Sequence, residues 1–357
     1  MNRRRLRWAL PLFVLGAIIV GAAGCGNAND DQGGGGGDPG IIRFAFAPDP
    51  VWDYIKDSGI LEDMEQQSGI QIVQLQTDDE FGIFAGGHAD IVSTGSYETP
   101  LFDEKGIPTM TIGKYNASKD LLVAANPAYK TAADLPKGCK VGSESTTGNT
   151  LIWAALIKEL DNRELKAGGD DLQLAISDTQ VAPDLVAKGD LCAAILDPTQ
   201  GIEALRTHKV FPMYNGQSAA QLYESNGHPG HLGVDTNNFV ARKAWYEANP
   251  KEVSFFLQVW QKGLDAWKKD PNKIIDEEPV DFGINSDEDA AFMKNYIANV
   301  FDFFQPTVYL TPEWVEGERD VFNITKAAGS FEPDTVFPAH AIIDPKTGKT
   351  TQVIGGD

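Results

Sequence analysis

Short apolar runs alternate with stretches of helical periodicity along this chain, and the pattern predicts an α/β body built twice over. Ile41 to Ala47 reads as a strand that Pro48-Asp49-Pro50 ends, and Val51 to Ser58 then forms a helix with Trp52 and Ile55 on one side. Ile70 to Leu75 is the next strand, followed by the acidic turn Thr77 to Glu80 opening a short helix, then Gly86 to Val92 and the small-residue loop Ser93 to Ser96. Ile107 to Ile112 and Asp120 to Ala125 are further strands. From Asn126 the pattern starts again: a helical turn at Thr131 to Leu135, a strand at Lys140 to Gly142, a strand at Leu172 to Ile176, a helix at Val181 to Lys188, and a strand from Leu191 to Leu196 that ends at Asp197-Pro198-Thr199. Val210 to Tyr214 closes this second unit and Gly233 to Arg242 crosses back. Pro250 to Lys269 is a long amphipathic helix carrying Val253, Phe256, Leu257, Trp260, Leu264 and Trp267; Asp287 to Phe303 is helical, and a tail turns at Asp344 to Gly348.

The pattern is most informative between Cys139 and Leu160. Ser143 to Asn149 is a polar loop, and Ile152, Leu156 and Leu160 then recur at helical spacing, so the loop opens a helix. The first N–H groups of a helix lack partners within it and the dipole is positive there, so main chain alone can hold a ligand oxygen. Thr146, Thr147, Asn149 and Thr150 add hydroxyls and an amide at the same point. The alternative is that Asn149 or Thr147 only caps the helix.

Composition adds location and charge. Arg3, Arg4, Arg5 and Arg7 precede an apolar run from Trp8 to Val20, which describes an export signal rather than a membrane span. Residues 21–25, Gly-Ala-Ala-Gly-Cys, resemble a bacterial lipoprotein signal, in which Cys25 becomes the lipidated first residue. Residues 1–24 are therefore expected to be removed, and 25–40, with Gly33 to Gly37 unbroken, to form a flexible tether. The net charge is −21, and about −25 without the signal's four arginines, which disfavours nucleic acid as a partner. Cys139 and Cys192 remain as a disulfide candidate in an exported chain, with two buried free thiols as the alternative.

Four stretches in this order resemble the substrate-binding proteins of bacterial ABC importers, in the group that handles aliphatic sulfonates, taurine, nitrate and the pyrimidine precursor of thiamine. They are FAGGHADIV, KTAADLPKGCKVGSESTTGN, LVAKGDLCAAILDPT and NNFVARKAWYEANPKEVSFFLQVWQKGLDAWKKDP, and the resemblance runs from about Ile41 to Asn272. It implies a type 2 periplasmic-binding-protein fold, in which two α/β lobes joined by two crossing strands close on a small solute. One lobe would hold 41–122 plus 238–357 and the other 123–237, with crossings near Leu121 to Ala125 and Gly233 to Val240. Cys139 and Cys192 would begin neighbouring strands away from the cleft, which favours a structural bridge. The implied partners are a small-molecule solute, an ABC permease with its ATPase, and the membrane through a lipid anchor on a monomer; no cofactor and no metal is implied.

By position, this resemblance lines the cleft with Pro48, Asp49 and Trp52, with Asp79 and Phe81, and with Gly95, Ser96 and Tyr97. The other lobe would supply Ser145, Thr146, Thr147, Gly148 and Asn149, then Asp197 with Thr199. Core packing is the alternative for Trp52 and Tyr97, and a helix start for Asp79. Asp49, Asp78, Asp79, Glu80, Glu144 and Asp197 crowd this mouth, with Arg43 the nearest basic candidate. An acidic mouth favours an amine- or nitrogen-heterocycle-bearing solute, or a zwitterion such as taurine, over a plain sulfonate or nitrate. A solute sensor would use the same fold. No nucleophile with an ordered base and no G-x-S-x-G turn is present, so an enzyme is not expected. His228 and His231 lack helical spacing, so neither is a metal site expected there.

Overall fold

The computed structural model describes residues 40–228 and 234–356; the expected export signal, the expected tether up to residue 39, Cys25 and His231 lie outside the described residues. In chain order come β1 (Ile41–Phe46), α1 (Pro50–Asp57), α2 (Ile60–Ser68), β2 (Gln71–Gln76), α3 (Glu80–Ala85), β3 (Ile91–Thr94), α4 (Thr99–Glu104) and β4 (Thr109–Ala117). Next are β5 (Leu121–Ala124), β6 (Cys139–Ser143), α5 (Asn149–Asp161), β7 (Leu165–Ala167), β8 (Leu172–Ile176), α6 (Ala182–Lys188), β9 (Ala193–Leu196), α7 (Ile202–Arg206), β10 (Phe211–Pro212) and α8 (Ala219–Ser225). The chain ends with β11 (Asp235–Arg242), α9 (Lys243–Ala248), α10 (Pro250–Lys269), α11 (Pro271–Glu277), α12 (Asp287–Asn299), α13 (Pro312–Ala327), β12 (His340–Ile343) and β13 (Thr350–Ile354).

These strands form two sheets, one ordered β13-β12-β4-β11-β3-β1-β2 and the other β10-β5-β9-β6-β8-β7. In the first, β1 runs parallel to β2 and β3, and β11 lies antiparallel between β3 and β4. In the second, β6 is parallel to both β8 and β9. Ligand-bearing loops of such sheets gather at the carboxyl ends of the parallel strands. The chain leaves the first sheet at Ser118 to Asp120, between β4 and β5, and is back in it by Asp235.

The first sheet's core is aromatic. Asp49 caps α1 by accepting from Val51 and Trp52 N–H, and Pro50 supplies a preset first turn. The helix then lays Val51, Trp52 and Ile55 against α10, which contributes Phe256, Trp260 and Leu264. A Cβ on Gly263 would come within 2.5 Å of Ile55 Cδ1, so the α1–α10 approach requires glycine there. β4 continues through Ala117, well past the expected end at Ile112, and every one of its residues is buried. Its lysine is satisfied from afar, with Lys114 Nζ donating to Gln305 Oε1 at 2.9 Å, so no local pattern announces it. The tail holds α13, which packs on α5, and β12, which joins β4 in the first sheet.

Candidate functional site

β6 delivers the polar loop to the amino end of α5, and the loop is stitched to itself. Ser143 Oγ and Thr150 Oγ1 lie 2.6 Å apart, Thr150 Oγ1 donates to Ser145 O at 2.8 Å, and Ser145 Oγ donates to Thr147 O at 2.8 Å. Gly148 takes φ +60°, a left-handed backbone that glycine adopts without strain. Its N–H points out of the second sheet's body and donates to Glu98 Oε1 at 2.8 Å. Asn149 Oδ1 accepts from Tyr97 OH, and Ser118 Oγ and Thr236 Oγ1 each lie 3.4 Å from it. The amino end of α5 therefore faces the loop after β3, which belongs to the first sheet.

Glu98 occupies the position at which a helix N-terminus attracts an anion. Its second oxygen accepts from Thr94 Oγ1 at 2.9 Å and from Gly95 N at 3.3 Å. Beside this contact, Lys119 Nζ lies 3.3 Å from Asp197 Oδ2 and 4.9 Å from the Phe303 ring centre. Burial works to lower the Lys119 ammonium, but Asp197, Asp120 and Asp49 carry it above the ordinary lysine value. Carboxylates outnumber this one cation. Burial pushes Asp49 up to about 6. Asp120 is held well above the carboxylate range by burial and then by Asp197. Glu144, although exposed, is raised by partial desolvation and then by Asp197, Asp78 and Glu98. Burial pushes Glu80 up to about 8, with Glu98, Asp78 and Glu144 adding to the rise.

The other residues expected to line a cleft separate into groups. Tyr97 and Asn149 meet each other, and Gly148, Asp49 and Asp197 lie in the same neighbourhood through Glu98 and Lys119. Thr199 N and Oγ1 both bond Asp197 Oδ1 at 2.7 Å and so orient that carboxylate. Ser96 is engaged with Asp235 O through its N–H and hydroxyl, and Gly95 is kept small by the Tyr97 ring, 2.5 Å from where a Cβ would sit. Ser145 and Thr147 bond each other, while Thr146 and Pro48 are exposed.

Three expected wall residues are engaged within the first sheet's own helices. Trp52 is fully buried, stacked on Trp260 at 5.2 Å with its indole N–H donating to Gln74, because α1 turns that face to the core. Asp79 is an exposed cap accepting from Gly82 N. Phe81 stacks on Phe102 at 4.2 Å in a small cluster beneath α3. Arg43 is bound to Asp90 at 2.6 Å, so Lys119 rather than Arg43 is the basic group among these carboxylates. Sequence reasoning passed over Glu98, Ser118, Lys119 and Asp120. The visible signal was Ser-Lys-Asp set between the apolar runs of β4 and β5. His228 stacks on Tyr223 at 4.0 Å with Nδ1 2.6 Å from Asp320.

The raised carboxylates predict an unusual pH dependence. Glu80 at about 8 and Asp281 at about 7, the latter raised by burial and then by Asp53, bind protons more tightly folded than unfolded. Each therefore favours the folded state at low pH, and that advantage is lost as pH rises through the folded value. His340 works the other way, since burial holds it near 4 and neutral, but it acts below its ordinary value of 6.5. The unliganded protein is expected to lose stability from about pH 6.5 to about pH 8.5. Glu80→Gln should flatten that slope and add roughly 1 to 3 kcal/mol at the alkaline end, because Glu80 Oε2 is buried without a partner. Thermal melts across the range check this; a wild-type midpoint that rises with pH would contradict it.

Two α/β sheets joined at two crossings, with helix starts and strand ends meeting at the junction, make this a type 2 periplasmic-binding-protein fold. The alkanesulfonate-binding protein SsuA from Xanthomonas axonopodis pv. citri, bound to MOPS, is similar at TM-score 0.63 and 13% identity, over 82% of this chain and 95% of that one. The periplasmic aliphatic sulphonate binding protein SsuA from Escherichia coli is similar at TM-score 0.63 and 17% identity, over 90% and 96%. A Candida albicans protein described as exhibiting the generic periplasmic binding protein structural fold gives TM-score 0.58 and 12% identity, over 82% and 92%. No protein-family model and no curated protein sequence matches the chain. At these identities the likeness concerns the fold.

Proposed function

We propose that this chain is the solute-binding component of an ABC importer, exported and held at the membrane through lipidated Cys25, that binds a small organic solute and delivers it to a permease and its ATPase. The expected lobes, 41–122 plus 238–357 and 123–237, would close as a monomer on the solute with no chemical step, their edges drawn in to the sheet changes at Ser118 to Asp120 and at Asp235. The observation that carries the solute class is Glu98. This carboxylate lies on the α5 amino end, where a sulfonate would otherwise be drawn, and the neighbouring groups are Asp49, Asp120, Asp197 and Glu144 around one lysine. Such surroundings repel a plain anion and favour a solute bearing an amine or nitrogen heterocycle, or a zwitterion such as taurine. The second reading, a sulfonate or nitrate ligand, is favoured by what the two SsuA proteins are described as binding.

A panel of ethanolamine, taurine and ethanesulfonate separates the two, because a solute that binds only the folded form raises the melting temperature with its concentration. Ethanolamine or taurine is expected to raise it at concentrations where ethanesulfonate does not. Stabilisation by ethanesulfonate alone would overturn the amine reading, and mass spectrometry of any solute that co-purifies would identify the physiological one.

A further inference from the structure

Two buried polar atoms near the sheet crossing lack hydrogen-bond partners. Asp120 is 4% exposed and its Oδ2 is unbonded; Tyr296, on α12, is 5% exposed and its hydroxyl is unbonded. Both stand in the same neighbourhood. Tyr296 feels Asp197 and then Asp120 once burial is set aside, and Asp120 feels Asp197 and Lys119. The crossing brings them there. Asp120 follows Lys119 directly, its backbone oxygen accepts from Ala219 N at the start of α8, and Gln221 of α8 donates to Val300 O at the end of α12. Lys119 Nζ pairs with Asp197 at 3.3 Å, and none of the described donors reaches Asp120 Oδ2. Buried polar groups are almost always paired, so two orphans beside surplus negative charge leave a position for a guest that brings N–H donors.

We propose that Asp120 and Tyr296 are the seat for a protonated amine of the solute, a primary ammonium donating to Asp120 Oδ2 and to the Tyr296 oxygen while Lys119 stays on Asp197. This rests on the amine reading above and deepens it, since it names the acceptors and the kind of amine. An ammonium with N–H groups fits two acceptors, whereas a quaternary nitrogen carries the same charge and satisfies neither. Lys119 has a defined part as the counter-charge that pairs with Asp197 and leaves Asp120 Oδ2 unbonded.

The test is calorimetric titration of the purified protein with ethanolamine, taurine and choline, in wild type, Asp120→Asn and Tyr296→Phe, with Asp63→Asn on α2 as an exposed control. Asp120→Asn is expected to weaken ethanolamine and taurine by about 10- to 100-fold, the loss of a hydrogen bond that the ammonium charge assists, while its unliganded melting temperature is nearly unchanged because burial already favours the neutral carboxyl there. Tyr296→Phe is expected to weaken both severalfold, Asp63→Asn to change nothing, and choline to bind wild type far more weakly than ethanolamine. Should Asp120→Asn fail to fold, Tyr296→Phe and the choline comparison decide alone. Equal binding of amines by wild type and both variants, or of choline and ethanolamine by wild type, overturns the seat and leaves the amine reading standing. Binding of ethanesulfonate with no amine bound by wild type overturns both.

Discussion

Trp52→Ala is expected to lower the unfolding free energy by about 3 to 5 kcal/mol, the cost of emptying a large site in a packed core. The side chain is fully buried, stacked on Trp260 at 5.2 Å, with the rings of Phe44 at 5.5 Å and Phe46 at 5.7 Å presented edge-on. Its indole N–H is satisfied by Gln74 Oε1 at 3.0 Å, so truncation also leaves a glutamine oxygen without its donor. Trp52→Phe keeps most of the ring and should cost far less. Neither change touches Glu98, Asp120 or the α5 amino end, so the folded fraction is expected to bind solute within about twofold of wild type. Urea unfolding followed by titration measures both quantities. A large loss of affinity at unchanged stability would return Trp52 to the solute-facing wall.

Trp52 also shows what a local pattern can and cannot reveal. Its spacing with Ile55 announced α1 and an apolar face, but an aromatic at the start of a helix after a strand can serve a core or a ligand equally well. Only α10, some two hundred residues later, decides between them. The same limit explains β4, whose Lys114 and Asn116 look like the end of a strand and are buried because Gln305 and Phe304 return to meet them. Arg43 looked like a free cation for an acidic mouth until Asp90 took it. What was legible had short-range causes: the strand, polar loop and helix from Cys139 to Asp161, the amphipathic α10, and the crowding of carboxylates. What was illegible had long-range ones, above all the crossing at Ser118 to Asp120. There, three polar residues gain their meaning from α5, β9 and α12 at once.

Breaking the Cys139–Cys192 disulfide is the second large effect expected. The bond spans 53 residues, and closing a loop of that length restricts the unfolded chain by about 4 kcal/mol on the chain-entropy argument. Cys139 opens β6, and Cys192 immediately precedes β9, the strand beside it. The carboxyl ends of these two strands carry the Ser143 to Asn149 loop and Asp197, which are the second sheet's contribution to the site. The cross-link thus lies at the opposite end of the strands from the solute groups. Ladder pairing of Val141 with Ala193 and Gly142 with Ala194 keeps the spacing when the sulfurs part. A Cys139→Ser, Cys192→Ser double variant, or wild type in dithiothreitol, should therefore unfold at a markedly lower urea concentration while amine affinity below that midpoint stays within about twofold. Asp120→Asn is expected to do the reverse, losing affinity without losing stability, because its partner is the guest and not the fold. An unfolding midpoint unmoved by dithiothreitol would contradict the stabilising role of the bond. Affinity falling in step with reduction would mean that the β6 and β9 ends are held in register by the sulfurs and not by the ladder.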